Sequence, residues 1–430
     1  FFYFITHLKE PNWVVHQAIV AKSNEQADSS HKNHSPKNIT HMKRVLDEIN
    51  SFQEGKKILK PVSTNVSTSS SDRPQDDTAV VKASHPPRFD ITNERTEALD
   101  YLDTNGYVVI ANAASEEECR EAHDLFWNWC EAQIDPSTGD KTNIKRGNPS
   151  SWTEGWMGDS TTGIFSGDFN HSDFCWMART LSPVKNAFAA IWETDRLIVS
   201  YDGGNAFRPW KTNMRWITRG GWWHVDQNVR LRNASDERVC VQGFVTFTDA
   251  TEDTGGLCVI PRSHLQFRDV CERSPAVGMG MDFVPISRGD DILLGEDGND
   301  AILVCAKAGD LVLWDSRTVH CNTPALTAGK SNTVQHELEQ KENVGDIIRL
   351  IAYVCMVPRS QATRDVLRQR LLAYFLRIGT SHWPNKPIPA LEIIPSEEQQ
   401  INDKKLRSVP QEIKDLIGYN KQNETKCVII

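Results

Sequence analysis

The pattern of apolar and polar positions changes character twice along the chain. Apart from residues 1–22, which can hold a short ordered element, apolar residues are sparse up to about Pro87, and Thr64-Asn65-Val66-Ser67-Thr68-Ser69-Ser70-Ser71-Asp72 contains a single one. Such a stretch buries too little apolar surface to offset the entropy of ordering it, so residues 1–88 are expected to form a polar, disordered N-terminal segment. Order is expected from Phe89. Asn93 to Asn105 reads as a helix that Gly106 stops, and Tyr107-Val108-Val109-Ile110 reads as a strand. Ser115 followed by Glu118 is a capping-box start for a helix running to about Ala132, and Pro183 to Trp192 reads as another.

From Leu197 the pattern becomes one of short β-rich runs between Gly, Asp and Asn turns. The runs are Leu197–Tyr201, Gly221–Gln227, Val239–Thr248, Leu257–Ile260, Ala301–Ala306, Leu311–Trp314 and Arg349–Val357. Strands at this spacing predict a sandwich or barrel. An amphipathic helix from about Gln361 to Arg377 follows, carrying Leu367, Leu371, Leu372 and Phe375 on one face. The expectation is one mainly β domain with flanking helices over residues 89–385. Residues 386–430 form a polar tail holding a short helix near Gln411–Ile417.

Composition narrows the partners. The net charge of −9 over 430 residues, with no basic stripe, argues against nucleic acid, because phosphate binding needs clustered Lys and Arg. The ten cysteines are scattered and form no C-x-x-C pair. Several sit in apolar runs as small buried hydrophobes, which points to a reducing intracellular compartment such as the cytoplasm. No run approaches the roughly 18 apolar residues that a membrane helix needs. The last four residues, Cys427-Val428-Ile429-Ile430, fit the C-a-a-X pattern and make Cys427 a candidate prenyl anchor.

The candidate chemistry begins at Trp222-Trp223-His224-Val225-Asp226. On a strand, residues two apart point to the same face, so His224 and Asp226 can converge on one ion. A further histidine would complete a facial triad suited to Fe(II) with open positions. His320, at the end of an apolar strand that starts at Leu311, is the candidate, and His264 in Pro261-Arg262-Ser263-His264 competes with it. Arg349 opens the next apolar strand. A guanidinium there is costly unless paired, and it could hold the far carboxylate of a 2-oxo acid through a bidentate fork.

These residues together resemble the phytanoyl-CoA dioxygenase family of Fe(II)/2-oxoglutarate oxygenases. The resemblance spans about Arg95 to Pro384 and rests on Asn105 to Ile110, His224-Val225-Asp226, Asp249 to His264, Gly309 to His320, and Arg349. It implies a double-stranded β-helix, the cupin-like jelly roll. It implies that His224, Asp226 and His320 hold iron, that Arg349 holds 2-oxoglutarate, and that Asn322 lies near this cosubstrate. His264 becomes a structural turn residue. The implied reaction is hydroxylation of a small-molecule substrate, with succinate and CO2 as coproducts. Halogenation is disfavoured because Asp226 is retained. The polar insert Lys330 to Asp346 separates His320 from Arg349 more widely than the family usually does, which leaves Lys330 as an alternative anchor.

The tryptophans and cations that precede the triad read either as core packing with solvated charges, or as a pocket for an acyl or anionic substrate lined by Trp222 and Arg215. Strand alternation puts Trp222 on the ligand face and Trp223 on the opposite one. Two other classes stay open: a catalytically silent jelly-roll binding protein, and a cupin-like protein that holds zinc with the same ligands.

Overall fold

The computed structural model describes residues 80–135, 139–153, 155–231, 237–275, 282–287, 289–295, 300–328, 346–392 and 403–419. Most of the expected N-terminal segment, the insert carrying Lys330, and Cys427 lie outside these residues.

In chain order the first strands are β1 (Lys82–Ser84), β2 (Arg88–Phe89), β3 (Tyr107–Ile110), β4 (Ile164–Phe165), β5 (Leu197–Val199), β6 (Gly204–Phe207) and β7 (His224–Val225). They continue with β8 (Val241–Thr246), β9 (Gly256–Val259), β10 (Val284–Pro285), β11 (Ile302–Val304), β12 (Leu311–Asp315), β13 (His320–Thr323), β14 (Arg349–Tyr353) and β15 (Met356–Pro358). The principal helices are α1 (Arg95–Asn105), α2 (Glu116–Ala132), α3 (Asp173–Thr180), α4 (Ser182–Trp192), α5 (Phe267–Arg273) and α6 (Arg364–Leu376). Two sheets face each other. One has the order β1-β11-β9-β13-β7-β10, the other β2-β3-β12-β8-β14-β6-β4, and a separate ribbon pairs β15 with β5. Pairings between strands far apart in sequence, such as β12 with β3 and β8, are those of a jelly roll.

Period-two alternation explains the layers. Leu311 and Leu313 of β12, Val245 of β8, and Leu350 and Ala352 of β14 point outward into an apolar core shared with the helices. Val312 and Trp314 of β12, Phe244 of β8 and Ile351 of β14 point inward, where they meet Leu257 and Val259 of β9. The outer face of the other sheet is apolar as well. Trp223, Val225, Cys258 and Cys321 pack there against Phe267, Val270 and Cys271 on and beside α5. Both sheets are therefore buried on their outer faces, and the space between them is the lumen in which polar side chains collect.

Several local expectations hold in detail. Ser115 accepts from the Glu118 amide while Glu118 caps the Ser115 amide, and α2 ends at Ala132. Gly106 takes φ +80° to end α1, with its amide on the Leu102 carbonyl. A Cβ there would stand 2.5 Å from His264 Nδ1 and from Thr318 Oγ1, so the close approach requires glycine.

Others differ. Order reaches back to Lys82, where β1 pairs in parallel with β11. The run Gly221–Gln227 shrinks to β7, and Arg349–Val357 divides into β14 and β15. His320 does not end β12: that strand stops at Asp315, and His320 opens β13 in the facing sheet. The reason is local. Asp315 binds Arg238 Nε at 2.9 Å and Arg317 Nη2 at 2.7 Å, and it accepts the Arg317 amide, so the chain turns before it can extend. The described cysteines form no disulfide with one another and are buried. Among the described residues, no helix is long and apolar enough to cross a membrane.

Candidate metal centre

β7 and β13 are antiparallel neighbours, and His224 and His320 are direct cross-strand partners. Their imidazole centroids lie 4.2 Å apart. The Asp226 amide donates to the Ser316 carbonyl in the turn before β13, which sets the carboxylate two residues beyond His224 against both rings. One ligand atom from each of His224, Asp226 and His320 lies within 4.8 Å of the others, and all three residues are buried.

The turn is braced by residues of the Pro-x-Ser-His segment. The Ser263 hydroxyl donates to the Ile260 carbonyl and accepts from the Val319 amide at 2.8 Å, one residue before His320. His264 Nε2 lies 2.9 Å from the Asp103 carbonyl, packed over Gly106, and takes no part in the cluster.

The hydrogen bonds settle what the imidazoles can offer. His224 Nδ1 is 3.0 Å from the Trp222 carbonyl, and His320 Nδ1 is 2.9 Å from the Thr318 carbonyl. A carbonyl only accepts, so each Nδ1 carries a proton, and a ring with that one proton presents its lone pair at Nε2. Those atoms lie 3.5 Å and 3.3 Å from Asp226 Oδ2. Two lone pairs and a carboxylate facing one another are favourable only around a shared cation, so the donor set fits a divalent metal. Gln242, pointing inward from β8, donates to Asp226 Oδ2 at 2.8 Å and fixes the carboxylate from the opposite sheet.

Without a cation between them the same groups compensate one another differently, with protonated imidazoles facing the carboxylate. Burial alone would raise the Asp226 carboxyl. The nearby imidazoles of His224 and His382, with the hydrogen-bonding contacts to His224 and His320, outweigh it and hold the group well below the usual carboxylate range. Burial, and then the adjacent His224, push His320 below the ordinary imidazole value.

Arg349 enters the lumen from β14. It is 2 % exposed, donates to Asn205 Oδ1 of β6 at 2.6 Å, and lies over the rings of Phe207 and Phe244 at 4.9 Å and 5.3 Å. Burial lowers its pKa to about 10, opposed only by Tyr353 and Cys258, so no Asp or Glu among the described residues balances it. Its tip reaches the facing sheet: a Cβ on Gly256 of β9 would stand 3.5 Å from Arg349 Nε. Gly256 pairs with Thr323 of β13, so the guanidinium shares the lumen with the strand that carries His320. Asn322 is buried, two residues after His320 and on the same face of β13.

Trp222 is 38 % exposed and stacks on His224, with centroids 4.9 Å apart and planes at 16°. Phe283 stacks on the same imidazole at 4.6 Å. Trp223 is 3 % exposed in the outer core, as strand alternation predicts. Trp210 and Trp216 are buried, and Arg208 is sandwiched between Trp156 and Trp216. Arg215 is exposed on the short turn Met214–Trp216, and no side-chain contact among the described residues links it to the cluster. The structure thus does not bring Arg215 into the site; its turn, capped by Asn213, sends it to solvent while Trp216 packs inward.

Sequence reasoning missed Gln242, Asn205, Tyr353 and Phe283. For Gln242 a signal was present, a polar residue inside the apolar run Val239–Thr248. Asn205 gave none, because Gly203-Gly204-Asn205 reads as a turn.

Comparison with known proteins gives a consistent frame. The model of the phytanoyl-CoA dioxygenase (PhyH) family matches residues 102–331, just over half of the chain. The chain is 27% identical over 296 residues to Ava biosynthesis cluster protein O of Aspergillus versicolor, covering 67% of this chain and 85% of that protein. It is 25% identical over 206 residues to a putative phytanoyl-CoA dioxygenase of Dictyostelium discoideum, covering 40% of this chain and 56% of that one. Among solved structures, the product of GlcNAc Inducible Gene 2 of Candida albicans matches with a TM-score of 0.49 at 13% identity, covering 77% of this chain and 79% of that one.

Proposed function

Because the chain belongs to the phytanoyl-CoA dioxygenase family, we propose that it is an Fe(II)/2-oxoglutarate-dependent dioxygenase that hydroxylates a small molecule, releasing succinate and CO2. The observation that carries this reading is the convergence of two imidazole lone pairs on a buried carboxylate, at 3.5 Å and 3.3 Å. His224, Asp226 and His320 would hold the iron on one side and leave its other side open. When bound, iron would activate O2, with 2-oxoglutarate giving two electrons and leaving as succinate and CO2, so that one oxygen atom goes into succinate and the other into a substrate C–H bond.

The chain's own residues do the rest. Arg349 offers a buried guanidinium that no described carboxylate neutralises, which suits it to the far carboxylate of 2-oxoglutarate. Asn205 and the flanking rings of Phe207 and Phe244 keep it aimed into the lumen. Gln242 orients Asp226, and the Trp222 and Thr318 carbonyls fix the tautomers of the two histidines. Trp222 and Phe283 cover both faces of His224 and shield it from water. Retention of the Asp226 carboxylate favours hydroxylation over halogenation.

The test is succinate formation. Protein reconstituted anaerobically with Fe(II), then given 2-oxoglutarate and air, should release succinate. Protein that binds zinc tightly and never decarboxylates 2-oxoglutarate would defeat this reading. Lys330→Ala is expected to leave the KM for 2-oxoglutarate unchanged while Arg349→Ala raises it; the reverse would move the anchor to Lys330.

A further inference from the structure

Among the described residues two tryptophan rings lie against the ligand histidines, and they lead to different places. Trp222 stacks on His224 and is already 38 % exposed. Trp314 is buried in the lumen, with its ring centroid 5.4 Å from that of His320. Trp314 on β12 is the cross-strand partner of Tyr107 on β3, and both belong to the inward apolar cluster. Directly opposed residues on one face of an antiparallel pair are side-chain neighbours. The buried Tyr107 meets Tyr101 of α1 edge to face, with ring centroids 5.6 Å apart at 83° and phenol oxygens 3.0 Å apart. Tyr101 is partly exposed. A file of oxidisable rings therefore runs from a ligand imidazole to the surface.

The polar ends of these rings divide one task between them. Trp314 Nε1 is buried and has no hydrogen-bond partner among the described residues. With no base to take its proton, an oxidised Trp314 stays a cation in an apolar interior, which is costly, so it passes the electron deficit on. The paired phenols offer a resting place. A phenol that loses an electron becomes strongly acidic, and Tyr101 reaches water, which takes the proton. Electron transfer between rings in near contact is fast, because tunnelling falls off exponentially with the gap between them. Trp129 and Trp383 share the unpaired nitrogen, but neither ring stacks on a ligand histidine. What sets Trp314 apart is its place in the file.

We propose that Trp314, Tyr107 and Tyr101 form an electron route from the surface to the metal centre, which discharges oxidising equivalents formed there when no substrate is in place. Tyr101 loses one electron, and its phenolic proton goes to water. The electron crosses Tyr107 and Trp314 to the His320 side of the centre. A one-electron reductant of the ascorbate class then returns an electron and a proton to Tyr101. The route rests on the dioxygenase reading for the source of the oxidant, but not for its own conduction.

The full chain loaded anaerobically with Fe(II) is tested twice without substrate, once with stoichiometric hydrogen peroxide and once with 2-oxoglutarate and air. Peroxide takes one electron from Fe(II) and one from tyrosine, with the phenolic proton and one from solvent, and leaves as two waters. With 2-oxoglutarate one oxygen atom leaves in succinate. The other leaves as water, reduced by one electron from Fe(II) and one from tyrosine. Rapid freezing and electron paramagnetic resonance read the radical, and ring-deuterated tyrosine identifies it. The wild type should give a tyrosyl radical that ascorbate erases. Trp314→Phe should lose it at unchanged Fe(II) affinity, as should the double variant Tyr101→Phe with Tyr107→Phe, whereas Trp222→Phe should keep it. If Trp314→Phe fails to fold, the double variant and Trp222→Phe decide. A tyrosyl radical that survives the double variant or Trp314→Phe, one that vanishes in Trp222→Phe, or wild-type iron oxidised by peroxide with no tyrosyl radical would each overturn the route. If the peroxide pattern appears but 2-oxoglutarate never yields succinate, the dioxygenase reading fails and the route stands. If succinate forms and peroxide raises no tyrosyl radical, that reading stands and the route fails.

Discussion

The two faces of the β8-β12-β14 sheet are built from the same strands and do opposite work. On the outer face Leu311, Leu313, Val245, Leu350 and Ala352 meet the helices in a continuous apolar core. On the inner face the same strands carry Gln242 bonded to Asp226, and Arg349 bonded to Asn205 with no balancing carboxylate among the described residues. Burial is nearly equal on the two sides, so exposure does not distinguish structure from function here. Polarity does. A buried apolar side chain contributes stability, whereas a buried guanidinium costs stability and is tolerated where carbonyls complete it, as at Arg179 and Arg370, or where a ligand does.

That contrast can be broken at several points. The largest effect is expected at Asp226, where the two histidines converge. Asp226→Ala should weaken metal binding by more than about a hundredfold, beyond the loss typical of a supporting residue, and leave the melting transition nearly in place. A variant that keeps wild-type metal affinity would remove the carboxylate from the ligand set.

Adjacent residues of β14 give the next test. Leu350→Ala should cost about 2–5 kcal/mol in denaturant unfolding, as a cavity in the outer core. Arg349→Met, one residue away, should be neutral or stabilising, because it removes a desolvated charge. If both changes destabilise equally, Arg349 is a structural residue.

Gln242→Leu comes third. The residue stands behind the site without reaching a ligand-binding position of its own, so metal affinity should fall by about tenfold to a hundredfold with little change in stability. Unaltered affinity would mean that Asp226 needs no orientation from the facing sheet.

The last test is a pH dependence seated away from the metal centre. His171 is buried, and desolvation lowers its pKa to about 3. In the unfolded chain it titrates near the ordinary value, so between that value and about 3 the unfolded state binds the extra proton. Stability should therefore rise with pH across this window and fall on acidification, by at most about 1.4 kcal/mol per pH unit for this one group. Unfolding curves from pH 7 to pH 4 for the wild type and His171→Phe check it: the variant should show the shallower slope, and parallel slopes would exclude the group.

What the sequence made legible follows the same division. Elements with local signals were readable: the capping box of α2, Gly106 closing α1, the apolar run of β3, and the short helix Gln411–Ile417 all lie where the pattern puts them. His224, Asp226 and His320 were readable because strand alternation and motif order both mark them. What stayed hidden depends on pairing across the lumen. β6 contains glycine and asparagine where a strand usually has branched residues, and it exists because β14 pairs with it. His320 reads as the end of β12, since nothing local announces that the Arg238 and Arg317 pairs with Asp315 turn the chain into another sheet. Arg215 reads as a pocket cation from its neighbours in sequence, but solvent claims it.

On the proposed reading the two facing sheets would hold one molecule of 2-oxoglutarate between them, with the metal on His224, Asp226 and His320 at one end and Arg349 of β14 at the other. Anaerobic calorimetric titration of 2-oxoglutarate tests this most directly, on the wild type with and without Fe(II) and on Fe(II)-loaded Arg349→Ala. The Fe(II)-loaded wild type should bind one 2-oxoglutarate per chain, and binding should weaken by at least about tenfold when either the metal or the guanidinium is removed. Binding that is indifferent to Fe(II), or equally tight in Arg349→Ala, would contradict it.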